Sequence, residues 1–98
     1  MSEILPLGSV VTLANNNQNK FMIISRGILT EKGDGVVYFD YSGVVIPQGM
    51  VNPNELYFFN KDNIDQILFE GYNDSEEQEF EKIYDKLILE SGYPKGTI

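Results

Sequence analysis

Apolar residues recur along this chain in two patterns, and the change between them comes at the segment FEGY, residues 69–72. Before it, short β-branched and aromatic runs are separated by turns containing Gly, Asn or Pro, which is typical of strands. After it, apolar residues recur every three or four positions, the period of a helix with one apolar face: Phe80, Ile83, Tyr84, Leu87 and Ile88. The pattern predicts a sheet followed by a helix.

Five segments before this change have the composition of strands. They lie at residues 8–14, 20–29, 36–46, 56–60 and 67–72. The residues between them predict an Asn-rich polar loop at 15–19, a tight turn at 32–35, a surface loop at 47–55 and one helical turn at 62–66. We therefore expect an α+β fold, with a small antiparallel, curled (barrel-like) sheet of four to five strands over about 8–72. The helix is expected over the open face or an edge of that sheet.

The predicted helix has start and stop signals. Asp74 can cap its first turn with Glu77 as the reciprocal partner, and the same pairing one residue later is the alternative register. Gly92 stands where a left-handed C-cap belongs, and a proline two residues later prevents continuation. We expect a helix at about 75–91, a short tail at 92–98 and, at this chain length, a single domain.

Composition narrows the chemistry that the chain can perform. It contains no His and no Cys, which removes the commonest general base, thiolate nucleophiles and Cys-based zinc sites. Its formal net charge is -8, and residues 51–98 hold eleven acids against four bases. Such a chain, with a single arginine, repels phosphate backbones, so no nucleic-acid partner is expected. We predict no catalytic residue, no metal and no cofactor.

The apolar runs and the N-terminus bear on localisation. Residues 1–6 have neither a basic region nor an apolar core, so no Sec-type signal is expected. The apolar runs fall far below the ~18 residues of a membrane helix. The absence of cysteine suits a reducing compartment. The expectation is a cytoplasmic protein that does not insert into membranes.

The single guanidinium, Arg26, ends the apolar run of the second strand and admits two interpretations. It can clamp an anionic ligand, or it can form an internal ion pair with a strand carboxylate such as Asp40 or Glu70. The internal pair is favoured because an acidic chain offers a lone arginine many partners. Arg26, Asp40 and Glu70 are therefore expected to be structural polar residues.

Three acids follow one edge of the helical apolar stripe: Glu77, Glu81 and Asp85. Like charges four residues apart destabilise a helix slightly, so such a row is more than folding requires. It can be an acidic ridge that attracts a basic partner, or a solvated face that keeps the protein soluble. Leu89 is expected to be exposed on the back of the helix, where it can centre an apolar docking patch.

Five sequence blocks occur in an order that resembles a known family. They are LPLGSVV (5–11), FMIISR (21–26), DYSG with PQG (40–43, 47–49), FN with DNI (59–60, 62–64) and FEGYND (69–74). The set is similar to the small Gram-positive proteins grouped as domain-of-unknown-function family 4176, although that family is expected to have more Gly and Lys in the first loop. The resemblance implies backbone roles for four glycines: Gly8, Gly43, Gly49 and Gly71.

The resemblance implies an accessory role, since such proteins are often encoded beside type VII secretion genes and LXG-type toxins. The expected function is an adaptor, chaperone or targeting factor that binds a toxin or secretion substrate encoded nearby. An immunity protein that neutralises a cognate toxin is one alternative. A small ligand-binding barrel or enzyme using Arg26 and the carboxylates is another. A homodimer through an exposed sheet edge is also open.

Overall fold

The computed structural model describes residues 4–98, which form a five-stranded antiparallel sheet and a C-terminal α-helix. The strands and the helix α1 have these bounds: β1 Val10–Leu13, β2 Asn16–Lys32, β3 Gly35–Ile46, β4 Tyr57–Phe59, β5 Ile64–Phe69 and α1 Ser75–Ser91. The α+β prediction is confirmed. The sheet is somewhat curled but not closed, because its order β4-β3-β2-β1-β5 leaves β4 and β5 as edges. The expectation of no export signal rests partly on residues 1–3, which lie outside the described part.

Two local predictions are wrong. Most of the segment predicted as an Asn-rich loop is the start of β2. Asn16 already pairs with Leu13, and residues 14 and 15 alone make the turn between β1 and β2. The side chains of residues 17–20 are exposed, so polar residues can occupy this part of the strand without being buried. The helical turn expected at 62–66 is a 3-10 turn at Lys61–Asn63, and β5 begins at Ile64, which pairs with Leu13 and packs on the core.

The hairpin of β2 and β3 dominates the sheet. Its two-residue turn contains Gly33 with φ +64°, a conformation that glycine adopts without strain. The ladder runs from Lys32 opposite Gly35 to Lys20 opposite Ile46, with one irregularity in β2 before Ser25. This hairpin therefore projects well beyond the short strand β1.

One apolar cluster connects the sheet to the helix. Its members are all at most 5% exposed: Ile4, Val11, Leu13, Phe21, Ile23, Tyr41, Phe59 and Tyr84. The ring of Phe59 lies 5.5 Å from that of Tyr41 and 6.2 Å from that of Phe21, centroid to centroid. Burying a side chain of this size contributes about 2 kcal/mol, so the cluster is a main source of stability.

The helix begins and ends where the sequence predicts. The Asp74 carboxylate accepts from the Glu77 N–H at 2.9 Å, and Gly92 forms the C-cap at φ 78°. The apolar stripe, however, is only partly covered. Tyr84 is buried, whereas Ile83 and Leu87 each keep 45% of their surface exposed. No helix in residues 4–98 is long and apolar enough to cross a membrane.

The C-terminal tail adds a short strand-like contact to β3. The Tyr38 N–H donates to Pro94 O at 2.9 Å, and the Gly96 N–H donates to Tyr38 O at 2.8 Å. A side chain at position 96 would place its Cβ 2.6 Å from the Phe39 ring, so glycine is required there. The tail is thereby held against the edge of β3 that faces away from β2.

Candidate docking groove

A buried carboxylate positions the helix on the sheet. Asp40 is 1% exposed and accepts from the Tyr84 hydroxyl and from the Lys61 N–H, both at 2.9 Å. The Lys95 ammonium lies 3.4 Å from the same carboxylate. Burial raises the pKa of Tyr84 far above its ordinary value, and the adjacent Asp40 charge raises it further. Tyr84 therefore stays a hydroxyl donor, and the contact joins α1, β3 and the C-terminal tail.

Arg26 pairs internally, as predicted, but with a partner that the sequence did not indicate. Its guanidinium donates to the Glu77 carboxylate in the first turn of α1 and to Leu5 O. Both side chains of the ion pair are 10% exposed, and the guanidinium lies 4.3 Å from the Phe80 ring centroid. Asp40 is therefore not its partner, and Glu70 is exposed on the described surface without an ion pair to Arg26.

The ion pair determines how Glu77 titrates. Burial tends to raise the pKa of Glu77, but hydrogen bonding with Arg26 and with Glu81, together with the Arg26 charge, holds that pKa below its ordinary 4.5. A carboxylate with a lowered pKa stabilises the fold above its ordinary pKa, and that contribution is lost as the pH falls through the lowered value. The loss is therefore confined to acid solution.

Replacing Arg26 tests this pair. Arg26→Gln should lower the free energy of unfolding by about 2 kcal/mol at pH 7, because it removes a charge-assisted hydrogen bond from a carboxylate whose side chain is only 10% exposed. In urea titrations, the difference from wild type should begin to shrink below pH 4.5, where Glu77 of the unfolded chain takes up a proton, and should vanish once the pH falls below the lowered pKa of folded Glu77. Lys82→Gln is the matched control. The Lys82–Glu79 pair is exposed and should contribute only a few tenths of a kcal/mol to the free energy of unfolding. Equal losses in the two variants would contradict the assignment.

The predicted acidic ridge is not one solvent-facing row. Glu77 is turned toward Arg26, and Glu81 is half-buried with one carboxylate oxygen inaccessible to solvent. Asp85 is exposed and lies 3.3 Å from the Lys61 ammonium. The expectation fails because the seam between helix and sheet runs along this side of α1. Leu89 is 81% exposed, as predicted, and partner binding through Asp85 or Leu89 stays a prediction.

A groove lies between α1 and β2. It has a volume of about 240 Å³, and its lining is mostly apolar: Arg26, Gly27, Leu29, Phe80, Tyr84, Leu87, Ile88 and Ser91. A second depression of about 350 Å³ adjoins the first turn of the helix, and Arg26 and Phe80 line both. We call the two together the docking groove. Its apolar walls include Leu29, at 48% exposure, and Leu87, at 45%.

The docking groove is acidic where it adjoins the first turn of α1. On a helical wheel, Glu76 and Glu90 fall within about 20° of Ile83, one toward each end of α1. Both are exposed, and Glu76 lines the second depression. The positive charge of Arg26 is offset by Glu77 inside the groove. The groove therefore combines an apolar lining with an exposed acid beside the first turn of α1.

Sequence reasoning missed this groove although it identified most of the helical residues. Ile83 and Leu87 have the spacing of a core stripe, and periodicity alone cannot distinguish a buried stripe from one that is half-covered. The sequence pattern predicts Leu29 as a strand residue and indicates no part for it in a binding site. The sequence holds no separate signal for the groove, because an ordinary core stripe has the same width and spacing.

The described residues form a small α+β protein with an open antiparallel sheet, one C-terminal helix and an apolar surface groove between them. Residues 4–80 match the family described as "Domain of unknown function (DUF4176)", so the chain belongs to that family. The matched range ends at Phe80, within α1. No curated protein and no solved structure matches the chain.

Proposed function

We propose that this protein is a non-catalytic protein-binding module that serves as an adaptor, chaperone or targeting factor for a toxin exported by type VII secretion. The observation that carries the proposal is the docking groove. Leu29 and Leu87 both line this groove and stay nearly half-exposed on a protein of 98 residues. Contiguous exposed apolar surface with a polar rim is characteristic of protein interaction sites.

The electrostatics support a protein partner of opposite charge. The segment 74–91 holds seven acids and two lysines. Charges of one sign around an apolar site speed association with a basic partner and disfavour acidic ones. Arg26 is engaged by Glu77 and by Leu5 O, so the one guanidinium is not poised to clamp a small anion. This weakens the ligand-binding alternative and favours an interface.

Co-purification with the products of adjacent genes tests the function. We expect the tagged protein to retain a toxin encoded nearby through the toxin's N-terminal export region. Toxicity of the separately expressed toxin domain should be unaffected by this protein. Neutralisation of that domain would instead establish an immunity protein. Retention of no neighbouring product would contradict both roles.

A pair of leucine substitutions locates the interface. Leu87→Gln should weaken partner binding at least tenfold, because it places an amide in the apolar wall of the docking groove. Leu89→Gln is the matched control: the same exchange two residues on, at a position that is 81% exposed on the helix back. Isothermal titration with the co-purified partner measures both affinities. Loss of binding in Leu89→Gln alone would move the interface to the helix back.

A further inference from the structure

Half of β2 has an open backbone edge beside the docking groove. β1 accompanies β2 only as far as Ile23, whose N–H donates to Ser9 O at 2.9 Å. From Arg26 to Lys32, the described part of the chain pairs β2 with β3 alone. This second half of β2 is therefore a sheet edge, although β2 is the middle strand of the order.

The ladder shows which backbone groups face outward at this edge. Leu29 lies directly opposite Tyr38 in the antiparallel pair. Tyr38 gives both its N–H and its C=O to the C-terminal tail, through Pro94 and Gly96, so both groups point away from β2. Opposite residues in an antiparallel ladder either exchange both bonds or turn both groups away from each other. Leu29 therefore directs its N–H and C=O outward at the open edge.

The side chains around this edge indicate the chemistry of an occupant. Leu29 and Leu87 line the groove with apolar surface, and both are nearly half-exposed. Glu31 is exposed toward the hairpin end of β2, and Glu76 is exposed at the first turn of α1. An occupant that presents apolar side chains centrally and cations at its ends is complementary to both features.

We propose that an extended, cationic segment of a partner protein adds to β2 as a further strand along residues 28–32, with its apolar side chains in the docking groove. This inference rests on the proposed protein-binding function and names its binding mode. Main-chain hydrogen bonds to Leu29 supply affinity, and the apolar wall of α1 selects the side chains. The tail contact at Tyr38 shows the same kind of addition on the opposite edge of the hairpin.

A strand suits this site better than a helix. Backbone N–H and C=O groups at an interface need partners, and the outward groups of Leu29 would be buried without partners under a docked helix. A strand satisfies its own backbone and that of β2 together. The flank of α1 then contributes Leu87 and Ile88 as one wall of a cleft whose other wall is the sheet edge.

Amide hydrogen exchange with a synthetic peptide tests the proposal. The probe is a ten-residue peptide of alternating valine and threonine with two lysines at each end. In the free protein, the Leu29 amide should exchange faster than the Tyr38 amide, which is hydrogen-bonded to Pro94 O. Saturation with the peptide should slow exchange at Leu29 at least tenfold and leave Tyr38 unchanged.

Two further peptides serve as matched probes. One replaces the lysines with glutamates, and the other rearranges the same residues to a helical period. The lysine strand peptide should bind at least tenfold more tightly than either. Tighter binding of the helical isomer would overturn strand addition, and so would unchanged exchange at Leu29. Protection at Ile67 and Leu68 instead would assign the outer edge of β5 as the docking edge.

A proline variant tests the backbone contact directly. Leu29→Pro removes an outward N–H without removing a bond between β2 and β3, and it should abolish peptide binding. Leu29→Thr keeps the backbone and should reduce binding only several-fold. Exchange measurements on the unaltered protein decide the question if the proline variant does not fold. Toxin retention that depends on Leu87, without peptide protection at Leu29, would overturn strand addition alone; failure of both would overturn the proposed function as well.

Discussion

Asp40→Ala should lower the free energy of unfolding by about 3 kcal/mol, measured by urea denaturation at pH 7. Its carboxylate is 1% exposed and accepts from the Tyr84 hydroxyl and the Lys61 N–H. Removing one member of a buried charged network leaves the others desolvated without a partner, which is why such losses reach several kcal/mol. The variant should also loosen the C-terminal tail, because Lys95 loses its contact with the carboxylate.

Two companion variants separate this effect from a general loss of charge. Tyr84→Phe removes one hydrogen bond and keeps the packing, so it should cost about 1 kcal/mol. Asp65→Ala removes an exposed carboxylate from β5 and should change the free energy of unfolding by only a few tenths of a kcal/mol. A loss in Asp40→Ala no greater than in Asp65→Ala would show that the carboxylate does not anchor the helix.

Gly71→Ala should destabilise the protein by about 3 kcal/mol, the upper end of what overpacking usually costs. A Cβ at this position would lie 2.1 Å from Leu7 O and 2.9 Å from Ser9 N, both of which are backbone atoms that cannot rotate away. The Gly71 N–H also donates to the Ser9 hydroxyl at 3.0 Å, so a shift of the chain would weaken that bond. Thermal or urea unfolding measures the change.

Gly35→Ala is the matched control for this prediction. Gly35 closes the hairpin of β2 and β3, has no positive φ, and has no atom within 4 Å of its Cβ position. The substitution should be neutral within about 0.5 kcal/mol, since alanine also restricts the unfolded chain. Similar losses in the two variants would show that the close approach at Gly71 is not the cause.

The fold and the proposed function are linked through these anchors. Asp40 with Tyr84 holds one face of α1 on the sheet, and Arg26 with Glu77 holds its first turn. The helix is thereby fixed next to the open half of β2 while Leu87 faces the groove between them. For the proposed strand addition, a cleft held in place by these contacts lowers the entropy cost of binding.

Local signals in the sequence were sufficient for most of the secondary structure. The start of α1 at Asp74 and its end at Gly92 follow from capping preferences that involve neighbouring residues only. The turn at Gly33 and the strand composition around it are equally local. The Asn-rich segment was mispredicted because the pairing of Asn16 with Leu13 depends on how short the preceding turn is.

The sequence by itself determined the fold class, the helix and its caps, the acidic surface and the lack of His and Cys chemistry, because each depends on composition or on residues a few positions apart. Only the tertiary structure decided that Arg26 pairs with Glu77, 51 residues away. It also decided that β2 extends beyond the end of β1, which leaves an open edge at Leu29. It also decided that Leu87 lines a groove instead of the core. These features depend on strand order and register. Both bring together segments that are distant in the sequence, and the local pattern of one segment does not indicate which other segment it will contact.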